Sequence, residues 1–214
     1  ARNPPRTRPR PGHADLPGIL SYDLSGARPV LERASARETA ARVALGALAE
    51  ALLDQVAGIR LVSHVVAVGA QRASASTIPT PADEEALCAA SMRTLDLADN
   101  ARFEAAVDEA KHSGDTIGGV VEVIAYDVPV GLGTHVSARE RLDARLAGAL
   151  MSIQSVKGVE IGDGFAEAAR RGSRAHDEIL SVEAGRVVRG SNRAGGIEGG
   201  MSNGARIRVR AAYK

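Results

Sequence analysis

The 214-residue sequence has little of several residue types that mark specialised classes of protein. Its single cysteine, Cys88, excludes an internal disulfide, and we expect a buried, unreactive thiol in a reducing compartment. Tryptophan is absent and aromatic residues make up 2%, so the core must be built from Ala, Val, Leu and Ile. There is no signal-peptide pattern and no apolar run long enough to cross a bilayer, which predicts a cytoplasmic location and no membrane partner.

An excess of charge of one sign is also lacking. Lys and Arg number 27 against 26 Asp and Glu, for a net charge of +1. Such a balance gives no overall field for nucleic acid, so nucleic acid is not an expected partner and anions must bind at local patches. The length and the 44% apolar composition are those of a globular protein with a sizeable core.

The first candidate patch is an arginine- and proline-rich segment that ends in a tight turn. Prolines hold the backbone extended between Arg2 and Arg10, and Gly12 then permits a turn next to His13. A histidine fixed in a turn beside arginines is a candidate acid or base near neutral pH. The alternative is a solvent-exposed loop histidine, and the spacing alone does not separate the two.

The second candidate patch is the start of a long helix predicted over residues 37–56. Ser35 and Glu38 have the spacing of a capping box. Apolar residues recur at steps of three and four, which predicts one buried face: Val43, Leu45, Leu48, Leu52 and Val56. Arg33, Arg37 and Arg42 surround the helix start, where free backbone amides attract anions, unless these arginines form only a solvated surface.

The remaining pattern alternates strands and helices. β-Branched runs predict strands over 59–68, 117–128 and 206–210, with His64 as a structural residue of the sheet. Helices are predicted from Pro81 to Arg93, from a cap at Asn100 to Lys111, and from a second capping box at Ser137 to Ile153. There follow a short basic helix containing Arg170 and Arg171 and a hairpin around 184–185. This succession of helices and strands favours a layered architecture.

Two glycine-rich segments follow in the last third. The Gly162-x-Gly164 pattern lacks the third glycine of a dinucleotide-binding turn, so no dinucleotide site is predicted there. Residues 195–204 contain five glycines, and such a loop either flexes or lets a flat ligand lie against bare backbone. The consecutive His176, Asp177 and Glu178 do not converge as metal ligands do, so a hydrogen-bonded or exposed turn is expected and no metal site is predicted.

Five segments together resemble the chorismate synthase family, in the family's order and from end to end of the chain. They are RPGHAD (10–15), RASARETAARV (33–43), VKGVEIGDGF (156–165), GSRAHDE (172–178) and NRAGGIEGG (192–200). The resemblance implies an α+β fold with helices sandwiched between antiparallel β-sheets, incomplete at both ends. It makes residues 1–214 the central part of a single domain of a homotetramer, closest to actinobacterial members.

The resemblance also implies a reaction, which is the anti-1,4-elimination of phosphate from 5-enolpyruvylshikimate 3-phosphate to give chorismate. Reduced FMN is required although no net redox change occurs. By similarity His13 is catalytic, and Arg10 and Arg37 bind the substrate. The flavin-binding residues implied by the family pattern are Arg33, Ala34, Ser35, Gln154, Ser155, Gly199 and Lys214.

Parts of the family pattern are missing from this sequence. These are the Gly-Glu-Ser-His-Gly motif and the Arg-Ser-Asp region, so we expect this 214-residue piece alone to be inactive. Two alternatives are an NAD(P)H-dependent flavin reductase, although no added nicotinamide-binding segment is visible, and a non-catalytic remnant that binds flavin or other anions.

Overall fold

A computed structural model describes residues 6–34, 37–74 and 78–214. These divide into two compact units, Ala1–Ala49 and Glu50–Lys214, and each is described by itself. The single domain over residues 1–214 stays a prediction. No helix in the described ranges is long and apolar enough to cross a membrane.

The first unit is built on two short helices and the start of a long one. They are α1 (Asp15–Tyr22), α2 (Arg28–Arg33) and α3 (Glu38–Ala57), which continues into the second unit. Gly18 of α1 lies against Val30 of α2, so closely that a methyl group added at Gly18 would collide with the valine side chain. The backbone N–H of the buried Ala27 donates to the Arg6 carbonyl at 2.8 Å, which fixes the extended segment beside α2.

Helix α3 confirms the predicted position of the long helix but not its predicted burial. Ser35 of the capping box lies outside the described residues. None of the side chains described in α3 is buried, and five apolar ones are 59–76% exposed: Val43, Leu45, Leu48, Leu52 and Val56. An alanine-rich sequence favours helix through its own backbone propensity. The apolar periodicity therefore located a helix without indicating what, if anything, covers it.

The second unit contains the sheet. Its strands are β1 (Arg60–Val68), β2 (Gln71–Arg72), β3 (Gly119–Tyr126), β4 (Val156–Ile161), β5 (Ile179–Glu183), β6 (Arg186–Arg189), β7 (Ile197–Glu198), β8 (Met201–Ser202) and β9 (Ile207–Tyr213). Five of them form an antiparallel sheet in the order β2-β1-β3-β9-β4. The pairs β5–β6 and β7–β8 are separate hairpins, and the first is the one predicted around 184–185.

The helices of the second unit differ from the prediction mainly in where they begin and end. They are α4 (Glu84–Ala89), preceded by a 3-10 turn at Pro81–Asp83, α5 (Leu97–His112), α6 (Leu142–Met151) and α7 (Phe165–Ala168). Asp96, not Asn100, caps α5, since its carboxylate accepts from the N–H groups of Ala98 and Asp99. Helix α6 begins after the second capping box, and Arg170 and Arg171 follow α7 rather than lying within it.

The two faces of the sheet have different chemistry. One face packs on α6 and forms an apolar cluster that includes Ile59, Val128, Ile197, Ile207 and Val209. The alternate residues of the same strands point to the opposite face, which carries His64, Glu122, Arg208 and Arg210 beside an open cavity of about 590 Å³. The predicted α+β class with an antiparallel sheet is confirmed.

The prediction of a buried thiol at Cys88 is wrong. Its thiol is exposed, not buried, because only Leu87 of the six-residue α4 faces the interior. The Arg93 guanidinium donates to the sulfur at 3.2 Å.

Candidate functional site

The turn that carries His13 is held by an ion pair between Arg10 and Asp15. The Arg10 guanidinium donates from Nε to Oδ2 at 2.9 Å and from Nη2 to Oδ1 at 3.0 Å, and its backbone N–H donates to Oδ2 at 3.0 Å. The Asp15 side chain is buried at the start of α1. These hydrogen bonds lower the pKa of Asp15 from 3.8 to about 2, so the carboxylate is charged at neutral pH.

His13 is exposed at the tip of this turn, and one of its ring nitrogens is occupied. Nδ1 lies 3.0 Å from the Pro11 carbonyl oxygen. A carbonyl only accepts, so the partner assigns the ring proton to Nδ1 and leaves the lone pair of the neutral ring on Nε2. The ring is exposed, and the Pro11 contact leaves its Nε2 available to a ligand.

A second group of charged side chains lies between α2 and α3 in the first unit. Arg33, Arg37, Glu32 and Glu38 line a depression of about 610 Å³. Ala34 ends α2, and its N–H donates to the Val30 carbonyl at 2.8 Å. Ser35 lies outside the described residues, and among the described ones the lining consists of the four charged side chains.

In the second unit, two of the flavin-binding residues implied by the family pattern meet at one end of the sheet. The Lys214 N–H donates to the Ser155 carbonyl at 3.1 Å, and Lys214 Nζ donates to the Thr116 carbonyl at 3.1 Å. Ser155 has φ of +72°, in the left-handed region that costs energy for any residue with a side chain. Gln154 precedes it, so these residues share one tight junction between α6 and β4.

Gly199 lies elsewhere in the second unit, at the tip of the β7–β8 hairpin. With Gly200 it forms a two-residue turn in which φ is +59° and +86°, and such turns favour glycine at both positions. A methyl group at Gly200 would collide with the Thr134 carbonyl and the Arg141 side chain, whereas the space beside Gly199 is open. No described hydrogen bond joins Gly199 to Ser155 or Lys214.

A charge network that the sequence motifs did not indicate lies on the polar face of the sheet. Glu122 Oε2 accepts from His64 Nε2 at 3.0 Å, and Glu122 Oε1 accepts from Arg210 Nε at 2.7 Å. Arg208 lies 3.7 Å from the same carboxylate and donates to Asp163 at 2.7 Å. Burial raises the pKa of Glu122, but the hydrogen bond from His64 and the two guanidinium charges outweigh it, so the net direction is downward. His64 lies within β1, as expected, and its structural role stays a prediction.

The only signals for this network in the sequence were an acidic residue within the apolar run of β3 and the alternating arginines of β9. Among the described residues no group of three or more His, Cys, Asp or Glu side chains is arranged to hold a metal ion. Both carboxylates of the network, those of Glu122 and Asp163, accept hydrogen bonds from a guanidinium or an imidazole.

Comparisons with known proteins agree with the resemblance drawn from the five motifs. The family model described as chorismate synthase matches residues 3–214. The chorismate synthases of Beutenbergia cavernae and Acidothermus cellulolyticus are 61% and 62% identical to this chain, and in each case the match takes in the whole chain and 54% of the relative. The chain therefore spans about half the length of the curated relatives that it matches.

A solved structure agrees as well. The structure titled "Crystal Structure of Chorismate Synthase" superimposes with a TM-score of 0.87 at 44% identity, and covers 94% of this chain and 62% of its own. A match of this quality, together with a family model that runs over nearly all of the residues, leads to one conclusion: the chain belongs to the chorismate synthase family.

Proposed function

We propose that the intact protein containing this sequence catalyses the elimination of phosphate from 5-enolpyruvylshikimate 3-phosphate to give chorismate. The observation that carries the proposal is the match of residues 3–214 to the family model. The local geometry at His13 and at Lys214 agrees with it. The proposal concerns the whole protein, because the chain spans 54% of the relatives named above.

The proposed catalytic group is His13, which exchanges a proton at Nε2. Its Nδ1 is engaged by the Pro11 carbonyl at 3.0 Å, so the ring is held with Nε2 facing outward. The Arg10–Asp15 pair fixes both ends of the segment that contains the turn. A proton-transfer group held in this way loses little entropy when it reaches the reacting position.

Arg10 and Arg37 are the proposed substrate ligands. A guanidinium has five N–H donors, and Asp15 takes two of those on Arg10, so three remain for a phosphate or carboxylate. Arg37 lines the depression described above, next to the N-terminus of α3. Phosphate and carboxylate groups suit guanidinium forks and free helix amides.

Reduced FMN is the proposed cofactor, and the described residues fit it. The open space beside Gly199 lets a flat ring lie against bare backbone, and the Lys214 ammonium is a cation suited to a phosphate. Ser155 and Gln154 add polar groups at the same junction as Lys214. The family resemblance adds Arg33, Ala34 and Ser35 of the first unit to the proposed flavin-binding residues. When bound, the reduced flavin supplies the electron density that the elimination needs without net redox change.

The test is turnover of the intact protein with reduced FMN under anaerobic conditions. We expect chorismate to form, and we expect His13→Ala to reduce kcat by about 10²–10⁴-fold, the usual contribution of a positioned acid or base. His135→Ala, another exposed loop histidine, is the matched control and should keep full activity. Full activity of His13→Ala would refute its role, and absence of chorismate with the unaltered protein would refute the function.

The same preparation separates the two alternative functions. Oxidation of NAD(P)H by the unaltered protein with oxidised FMN would indicate a flavin reductase. Flavin binding without turnover would indicate a binding remnant. We also propose, on the family resemblance, a homotetramer in the cytoplasm, which light scattering and cell fractionation would test.

A further inference from the structure

Asp177 lies in segment 172–178, one of the five that resemble the family, and it has no role in the proposed function above. Its carboxylate forms hydrogen bonds with a loop of the second unit. Its side chain is buried, with only 7% of the residue exposed. Oδ1 accepts from Ser191 Oγ at 2.5 Å and from the Arg193 N–H at 2.7 Å, while Oδ2 accepts from the Ala194 N–H at 3.0 Å. One carboxylate therefore binds three of the four residues in segment 191–194.

The same loop crosses a second backbone segment at very short range. The Asp163 N–H donates to the Arg193 carbonyl at 2.8 Å. A methyl group on Gly162, whose φ is +60°, would collide with that carbonyl, and one on Gly195 would collide with the Gly162 backbone. Residues 162–163 and 193–195 form what we call the glycine crossing, a contact that only glycine permits.

The crossing continues directly into the hairpin that carries Gly199. The Arg208 N–H donates to the Gly195 carbonyl at 3.1 Å, and the Asn203 N–H donates to the Gly196 carbonyl at 2.9 Å. Strand β7 begins at the next residue. Strand β7 ends at Glu198 and the turn follows at once, with open space beside its first glycine, Gly199. The position of the Gly199 turn is thus set on its N-terminal side by the loop that Asp177 holds.

We infer that Asp177 is a positioning residue, which holds loop 191–196 so that the open backbone at Gly199 meets the flat ring of the flavin. The inference rests on the proposed flavin site. In this inference Asp177 acts only through the loop and takes no part in the chemistry. Its three acceptor bonds all go to the loop, and a neutral amide could satisfy only part of that arrangement.

The experiment compares the intact protein with Asp177→Asn and Glu178→Gln in a titration with FMN, followed by flavin fluorescence. Glu178 is the exposed neighbour and loses the same charge, so it controls for the local field. We expect about tenfold weaker FMN binding for Asp177→Asn, equivalent to about 1.4 kcal/mol, with an altered absorption spectrum of the bound flavin. Glu178→Gln should bind as the unaltered protein does.

The possible outcomes separate the inference from the proposed function. Failure of the unaltered protein to bind FMN overturns both. Equal FMN affinity and an unchanged flavin spectrum in Asp177→Asn overturn the inference alone.

A second pair of variants decides the matter if Asp177→Asn does not fold. Ser191→Ala removes one of the three bonds, whereas Ser191→Thr keeps the hydroxyl donor. We expect FMN binding about threefold weaker for Ser191→Ala, close to normal binding for Ser191→Thr, and faster amide exchange at residues 193–199 for Ser191→Ala only. Unchanged binding and exchange in Ser191→Ala would overturn the inference.

Discussion

Replacing Glu122 by glutamine tests whether the charge network on the polar face of the sheet stabilises the protein. Glu122 is buried, and its carboxylate accepts from His64 at 3.0 Å and from Arg210 at 2.7 Å. The substitution keeps the size and one acceptor oxygen but removes the charge. It therefore leaves Arg208 and Arg210 facing a neutral amide in a largely buried position.

The expected loss of stability follows from the number of bonds. An amide oxygen replaces only one of the two carboxylate oxygens, so one charge-assisted hydrogen bond, of about 1.5–3 kcal/mol, is lost. Arg210 is 33% exposed and retains some hydration, which reduces the cost. We expect the free energy of unfolding to fall by about 2 kcal/mol, or a Tm lower by about 4–8 °C for a chain of this size.

The assay is urea unfolding of the intact protein, compared with Glu160→Gln. Glu160 lies on β4, which pairs with the strand of Arg210. It is 4.0 Å from Arg210 and its side chain is 29% exposed, so the loss of its charge should cost less than about 0.5 kcal/mol. Equal destabilisation by the two variants would show that the network has no special strength and would refute the reasoning.

Acid should abolish the difference between Glu122→Gln and the unaltered protein. The pKa of Glu122 is lowered in the folded state, so its contribution is fully present above 4.5, the ordinary value, and is lost as pH falls through the lower folded pKa. A difference that persists unchanged in strong acid would mean that shape, not charge, is responsible.

Two further predictions concern local geometry. The Arg10–Asp15 pair should persist above pH 3.8 and be lost as pH falls through about 2, because the pKa of Asp15 is depressed; NMR titration of the Arg10 Nε–H should show this step, and Asp15→Asn should lack it. Gly162→Ala should be much more destabilising than Gly58→Ala in thermal unfolding. Both glycines have positive φ but only Gly162 faces another backbone, so similar Tm values would contradict the crossing.

The strands and the long helix could be predicted because their signals are local. The β-branched run before Val68 and the alternating residues of β9 each specify a half-buried strand without reference to a partner. Helix starts were less predictable, since Asp and Asn are both good caps. Only Asp96 accepts from the first N–H groups of α5, whereas the amide oxygen of Asn100 accepts from the Met92 N–H.

The residues of the proposed site divide in the same way, into contacts between near neighbours in the sequence and contacts between distant segments. The Arg10–Asp15 pair spans five residues, and the turn around His13 could be anticipated from its glycine and prolines. The bonds of Asp177 reach residues 14–17 positions away. The meeting of Ser155 with Lys214 depends on the completed sheet. Sequence periodicity carries no information about contacts between distant segments. The sequence therefore did not link the turn at residues 176–178 to the glycine-rich loop over residues 195–204.

The strand order has a consequence for synthesis of the protein. Strand β9 lies between β3 and β4, and residue 210 pairs with residue 122, which is 88 positions earlier. At about 5–20 residues per second, the ribosome needs about 4–18 s after β3 to supply that partner. Until then one edge of β3 is unpaired and β4 has no strand partner in the sheet. Such edges are templates for wrong pairing with another nascent chain. Glu122, an ionised side chain in the middle of β3, disfavours such pairing until Arg210 has been synthesised. The residue that stabilises the folded sheet therefore also opposes aggregation of the incomplete chain.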